Sequence, residues 1–181
     1  MDNVEKGIDS YISGDVNNAI RLLQDCIKAD KPSAQAYYYL GLSYNDIGRY
    51  ADAGGYFAKA VELEPDRALY HYQLGQIYND MMLFEKAIPH LLEAVKRNPD
   101  HIRARIILAS IYFKNGELDK AEREFKQVTT ISPDYAMGFY ELGNCLYYKG
   151  DLVGAKGAFN KAILLDGRIE AMIRDKLGKI G

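Results

Sequence analysis

The sequence has no tryptophan, only two cysteines and only five prolines in 181 residues. Cys26 and Cys145 lie far apart and show no Cys-x-x-Cys spacing, which excludes a disulfide framework and a cysteine-based metal site. No run approaches the roughly 18 apolar residues that a membrane-spanning helix needs. The opening stretch, Met1-Asp2-Asn3-Val4-Glu5-Lys6, is polar and acidic, without the basic and apolar regions of a secretion signal. A cytoplasmic location without membrane insertion is therefore expected. Charge bias is missing as well: 23 Lys and Arg against 25 Asp and Glu leave a net charge of −2. Such a chain has no electrostatic footprint for a phosphate backbone, so no nucleic-acid partner is expected. Hydrophobic residues at 48% and charged residues at 27% are enough to build a core and to dissolve it.

What the sequence does have is a period of 34. Pro65, Pro99 and Pro133 keep that step, as do Ala19, Ala53, Ala87, Ala121 and Ala155. Leu40, Leu74, Leu108 and Leu142 form another column, each followed by a small residue: Gly41, Gly75, Ala109 and Gly143. Phe57, Leu91, Phe125 and Phe159 form a third. Cys26 and Cys145 fall in mostly apolar columns and are expected in the core.

Within a unit the apolar spacing is helical. Tyr37, Leu40, Tyr44 and Ile47 recur at three- and four-residue steps, and Ala53, Phe57, Ala60 and Val61 do the same. Gly48 separates the two runs where a helix end needs a left-handed residue; Gly14, Gly116 and Gly150 match it, and Met82 replaces it in the third unit. Each unit is therefore expected to be two antiparallel helices. The small column beside Leu40 lets two backbones approach while Leu, Tyr and Phe fill the space around them. Gly54-Gly55, inside a second helix, is read as close packing.

Leu40-Gly41, Tyr44, Gly48, Tyr50, Ala53, Phe57, Ala60 and Pro65 together resemble the tetratricopeptide repeat pattern. The resemblance covers nearly the whole chain, with repeats at about 1–33, 34–67, 68–101, 102–135 and 136–169 in a single domain. It implies an all-α, right-handed superhelical solenoid of five helix-turn-helix repeats. The family's tryptophan column is occupied by Tyr37, His71, Arg105 and Phe139; the first repeat is degenerate, with Pro32 shifted by one. Residues 169–180 carry an apolar stripe of Ile169, Met172, Ile173, Leu177 and Ile180, which reads as the capping helix a solenoid needs. The start shows no equivalent cap, so either the first helix serves as one or further residues precede it.

No catalytic constellation is encoded. His71, His90 and His101 sit in different columns with no i,i+4 pair, and no phosphate loop or HExxH occurs. The expectation is a protein that is not an enzyme and has no cofactor or metal. The resemblance instead implies a concave groove lined by the first helices. Carried over by column, its inward residues include Tyr38, Tyr39 and Asn45 in the second repeat and Tyr72, Gln76 and Asn79 in the third. Arg103 and Phe113 follow from the fourth, then Tyr140, Asn144 and Tyr147 from the fifth. Asn and Gln can pair with a peptide backbone, and Tyr offers rigid apolar area with one hydroxyl. Tyr44, Tyr78 and Tyr112 are read as repeat packing instead.

The groove is expected to bind a peptide segment or a partner helix, as an adaptor does. A carboxylate clamp for chaperone tails fails, because among the matching positions only Arg103 is cationic. The alternative is self-association. Bacterial relatives of this size, resembling magnetosome-associated or secretion and pilus assembly factors, act as multimeric platforms. Val4, Ile8, Tyr11 and Ile12 make a stripe on the first helix that would enter a neighbour's groove.

Overall fold

A computed structural model describes residues 3–29 and 33–180; Pro32, the first two residues and Gly181 lie outside the described part. All regular structure among the described residues is helical. The chain divides into two compact units, Met1–Pro99 and Asp100–Gly181.

The first unit holds three helix pairs: α1 (Asn3–Ile12) with α2 (Val16–Lys28), α3 (Ala34–Asp46) with α4 (Tyr50–Leu63), and α5 (Ala68–Asp80) with α6 (Phe84–Arg97). The second holds α7 (Ile102–Lys114) with α8 (Leu118–Ile131) and α9 (Ala136–Lys149) with α10 (Leu152–Leu165). A 3-10 turn (Gly167–Ile169) then leads into α11 (Glu170–Ile180), whose Ile173 is fully buried, as a cap requires. Pro65, Pro99 and Pro133 each follow a second helix, as their spacing predicts. Pro89 does not: it sits inside α6, where its missing N–H removes one hydrogen bond of the helical ladder.

The turns inside the pairs are left-handed. Gly14, Gly48, Gly116 and Gly150 have φ of +85°, +76°, +77° and +89°, and Met82 is forced to +58° at the matching place. A side chain there costs roughly 1–2 kcal/mol. The small columns behave as the packing argument requires. A Cβ on Gly41 would meet Phe57 Cε1 at 2.5 Å, and one on Gly143 would meet Phe159 Cδ1 at 2.5 Å. Gly54 and Gly55 do not: a Cβ on Gly54 finds ordinary contact at 3.6 Å, and one on Gly55 meets nothing within 4 Å. Close packing is not the reason for these two glycines.

The tryptophan column has a partner column 19 residues later. In the second repeat Tyr37 stacks on Tyr56 with ring centroids 6.4 Å apart. In the third, His71 Nδ1 lies 3.3 Å from Nδ1 of His90, 19 positions further on. In the fourth, Arg105 Nη1 donates to Glu124 Oε2 at 2.6 Å across the same 19 residues. His71 and His90, which sit in different columns without i,i+4 spacing, thus meet across the helix pair. They share no helix face, but the antiparallel pair brings α5 and α6 together at this step. His71 Nε2 donates to the Pro65 carbonyl at 2.9 Å, so its Nδ1 accepts and His90 Nδ1 donates.

Both cysteines are buried, as expected, and neither forms a disulfide. Burial pushes the Cys145 thiol up to about 11, so it is inert as a nucleophile at neutral pH.

Candidate functional site

In the first unit, α3 and α5 present tyrosines at a helical step, and these gather into one cluster. Tyr38 packs against Tyr39 at 5.2 Å, Tyr70 at 5.1 Å and Phe57 at 6.0 Å between ring centroids. Burial raises the pKa of its hydroxyl, which shares a hydrogen bond with Gln73. Tyr39 meets Tyr11 of α1 edge-on at 5.6 Å. Burial, and then donation to the Asp46 carboxylate, push Tyr11 up to about 12. Tyr70 and Phe57 are buried, the Tyr11, Tyr38 and Tyr39 rings are only partly covered, and a cavity of about 250 Å³ opens beside the cluster. Gln35, Tyr38, Tyr39, Glu64, Arg67, Leu69 and Tyr70 line it.

Asn45, Gln76 and Asn79 are half-buried on the same two helices, and Asn79 Nδ2 donates to Asp80 Oδ1 at 3.2 Å. Tyr72 differs from them. It is 7% exposed, so little of its ring is left for a ligand. Tyr44 and Tyr112 are buried as packing residues, and Lys120 lies over the Tyr112 ring at 5.1 Å. Lys86 covers Tyr78 in the same way, at 5.8 Å.

In the second unit, Arg103 is exposed at a cavity of about 540 Å³ lined also by Ile102, Ile106, Ser132, Asp134 and Tyr135. The two cavities share repeat columns. Gln35 and Arg103 correspond, as do Tyr38 and Ile106, Glu64 and Ser132, and Arg67 and Tyr135. The loop residues of these cavities lie outside the first-helix columns from which a groove was expected. The signal was present in the columns, since a loop two repeats on occupies the same place.

Phe113 meets Tyr148 edge-on at 5.5 Å, Tyr147 meets Tyr148 at 5.6 Å, and Tyr140 leans on Phe159 at 6.4 Å. Asn144 is buried at 7% exposure, and its Nδ2 donates to Glu141 Oε2 at 3.4 Å. Burial raises the Glu141 pKa against the opposing influence of Asn144 and Lys176. Among the described residues no three His, Cys, Asp or Glu side chains gather as a metal site would need, and no helix is long and apolar enough to cross a membrane.

Comparison with known proteins agrees with this geometry. Models of the tetratricopeptide repeat match residues 5–68 and 83–138. No curated protein matches the chain significantly. Among solved structures, MamA is similar at 28% identity and a TM-score of 0.83, over 90% of this chain and 95% of that one. A second MamA structure gives 28% and 0.84 over 94% and 92% of the two chains. YrrB, a TPR protein with an unusual peptide-binding site, is similar at 25% identity and a TM-score of 0.87, over 96% and 90%. Period, left-handed turns, small-to-large columns and these matches agree: the chain belongs to the tetratricopeptide repeat family.

Proposed function

We propose that the protein is a non-enzymatic interaction module that binds a peptide segment or partner helix along the faces of its first helices. One observation carries this reading: each unit opens a cavity at the same repeat columns, bordered by first-helix residues and by the loop that follows a second helix. The peptide-binding site of YrrB, a protein of the same fold, supports it. Half-exposed Tyr39, Gln76 and Asn79 supply rigid surface and backbone-pairing amides, and Arg103 supplies one fixed charge.

Self-assembly through α1 fits less well. Val4 and Tyr11 already pack on the core of their own unit, and of the four stripe residues only Ile12 is largely exposed, at 71%. Entry into a neighbour's groove would first have to break those contacts.

Gln76→Ala with Asn79→Ala, and separately Arg103→Ala, should leave helicity unchanged and abolish capture of a partner from the source organism, read by affinity purification and mass spectrometry. Capture that persists at full strength in all of these variants would overturn the groove assignment.

A further inference from the structure

Lys176 stands where the repeat would place a leucine. Its column holds Leu40, Leu74, Leu108 and Leu142, which are 0%, 2%, 0% and 7% exposed, and in the first repeat the exposed Lys6. The 3-10 turn and the capping helix α11 bury the apolar residues Ile169 and Ile173, yet α11 puts an ammonium at this position. That ammonium is seated. Lys176 Nζ donates to Asn144 Oδ1 at 2.5 Å and lies 5.5 Å from the centroid of the Tyr148 ring. Asn144 in turn donates to the Glu141 carboxylate at 3.4 Å, and Phe113 braces Tyr148 from its edge at 5.5 Å.

A buried amide oxygen, a carboxylate behind it and an aromatic face are the groups that recognise a primary ammonium. Glu141, Asn144 and Tyr148 follow one another along α9, the first helix of its repeat, and Asn144 is among the residues expected to face the ligand. Lys6, the other lysine of this column, is exposed, whereas Lys176 is drawn onto the polar groups of α9.

We propose that this notch on α9 is a subsite for a lysine side chain of a partner peptide, and that Lys176 is a built-in occupant which such a peptide displaces. The proposal rests on the adaptor reading for the origin of the peptide, and on the contacts of α9 and α11 for its chemistry. Exchange requires only rotation of a flexible four-carbon stem, because Ile169 and Ile173 hold the cap independently. A tethered competitor acts at an effective concentration of about millimolar, so a lysine peptide meets the wild-type notch already filled.

The test uses the full-length chain with Lys176→Met, which keeps the stem and removes the charge. The probe is acetyl-Ala-Lys-Ala-amide, with acetyl-Ala-Gln-Ala-amide as control, and the readout is the NMR shift of the Asn144 side-chain amide. The variant should bind the lysine peptide at least about ten-fold more tightly than wild type. It should ignore the glutamine peptide, and adding Glu141→Gln should weaken the gain. Equal response of wild type and variant, or equal response to both peptides, would overturn the proposal. Should Lys176→Met lose helicity, Lys176→Ala gives the same reading, and loss of helicity in both would show a structural role and overturn it too. Failure here with partner capture still sensitive to Gln76 and Asn79 leaves the adaptor reading standing. A notch that binds lysine while capture ignores those residues sinks the adaptor reading alone.

Discussion

The two units meet the same packing problem with different chemistry. Where the family's tryptophan column faces the second helix, the first unit uses uncharged pairs: Tyr37 on Tyr56, then His71 with His90. The second unit puts an ion pair there, Arg105 with Glu124, whose side chains are 12% and 14% exposed. It adds a second charged cluster in which Lys149 bridges Asp119 and Glu122, and Lys126 joins Glu122 at 2.6 Å. In these three repeats the step holds a matched pair rather than a particular residue, while the fifth carries Phe139 and Ala158 there. A stack tolerates the loss of one ring; a buried ion pair does not tolerate the loss of one charge.

That difference predicts the largest effect. Arg105→Met leaves Glu124 without this charge partner and should cost about 3–5 kcal/mol in denaturant unfolding, whereas Arg105→Met with Glu124→Leu should cost little or stabilise. Tyr37→Leu at the same column of the first unit should cost clearly less. An equal loss at both columns would erase the distinction between the units.

Next comes a feature the units share. Gly41→Ala and Gly143→Ala each drive a methyl into the facing phenylalanine and should each cost about 1–3 kcal/mol. Hydrogen exchange read separately over residues 3–97 and 102–180 checks that each loss falls in its own unit.

Two local defects of the first unit come next. Gly55→Ala removes a helix-interior glycine from open space and should add about 1 kcal/mol. Met82→Gly relieves a left-handed methionine that is 78% exposed and should add about the same. A fall in melting temperature for either would show that the space or the strain is misjudged.

The smallest expected effect is a pH dependence. Burial, and then the neighbouring His71, lower the His90 pKa; burial, then the opposing backbone hydrogen bond and Arg103, leave that of His101 lowered as well. As pH falls through the ordinary histidine value of about 6.5, the unfolded chain takes up protons that the folded chain refuses, so stability is lost on the acidic side. Melting temperature should therefore decline from pH 7.5 to pH 5. His90→Gln should flatten that slope in the first unit and leave the His101 contribution in the second. A slope unchanged by His90→Gln would remove His90 from the account.

Much of this molecule was legible because a repeat states each packing rule several times. Ala19 to Ala155, Gly41 opposite Phe57, and the glycine turns are columns of one residue type with one geometric need. The partner column 19 residues on was not legible, because Tyr with Tyr, His with His and Arg with Glu share no residue type. On the groove, Tyr38 and Tyr72 occupy the same column, yet one borders an open cavity and the other is 7% exposed. Column position sets the direction of a side chain; its neighbours set how much of it remains exposed.

The sequence by itself determined the helix pairs, their turns, the small-and-large core columns and the cap. All of these rest on local spacing and on steric needs that recur every 34 residues. Only the tertiary structure decided which polar columns pair, which inward tyrosines stay accessible, and that Lys176 is held by Asn144 beside Tyr148. Those outcomes depend on side chains from different helices meeting in space, where hydrogen-bond geometry and desolvation act over a few ångströms that spacing along the chain does not encode.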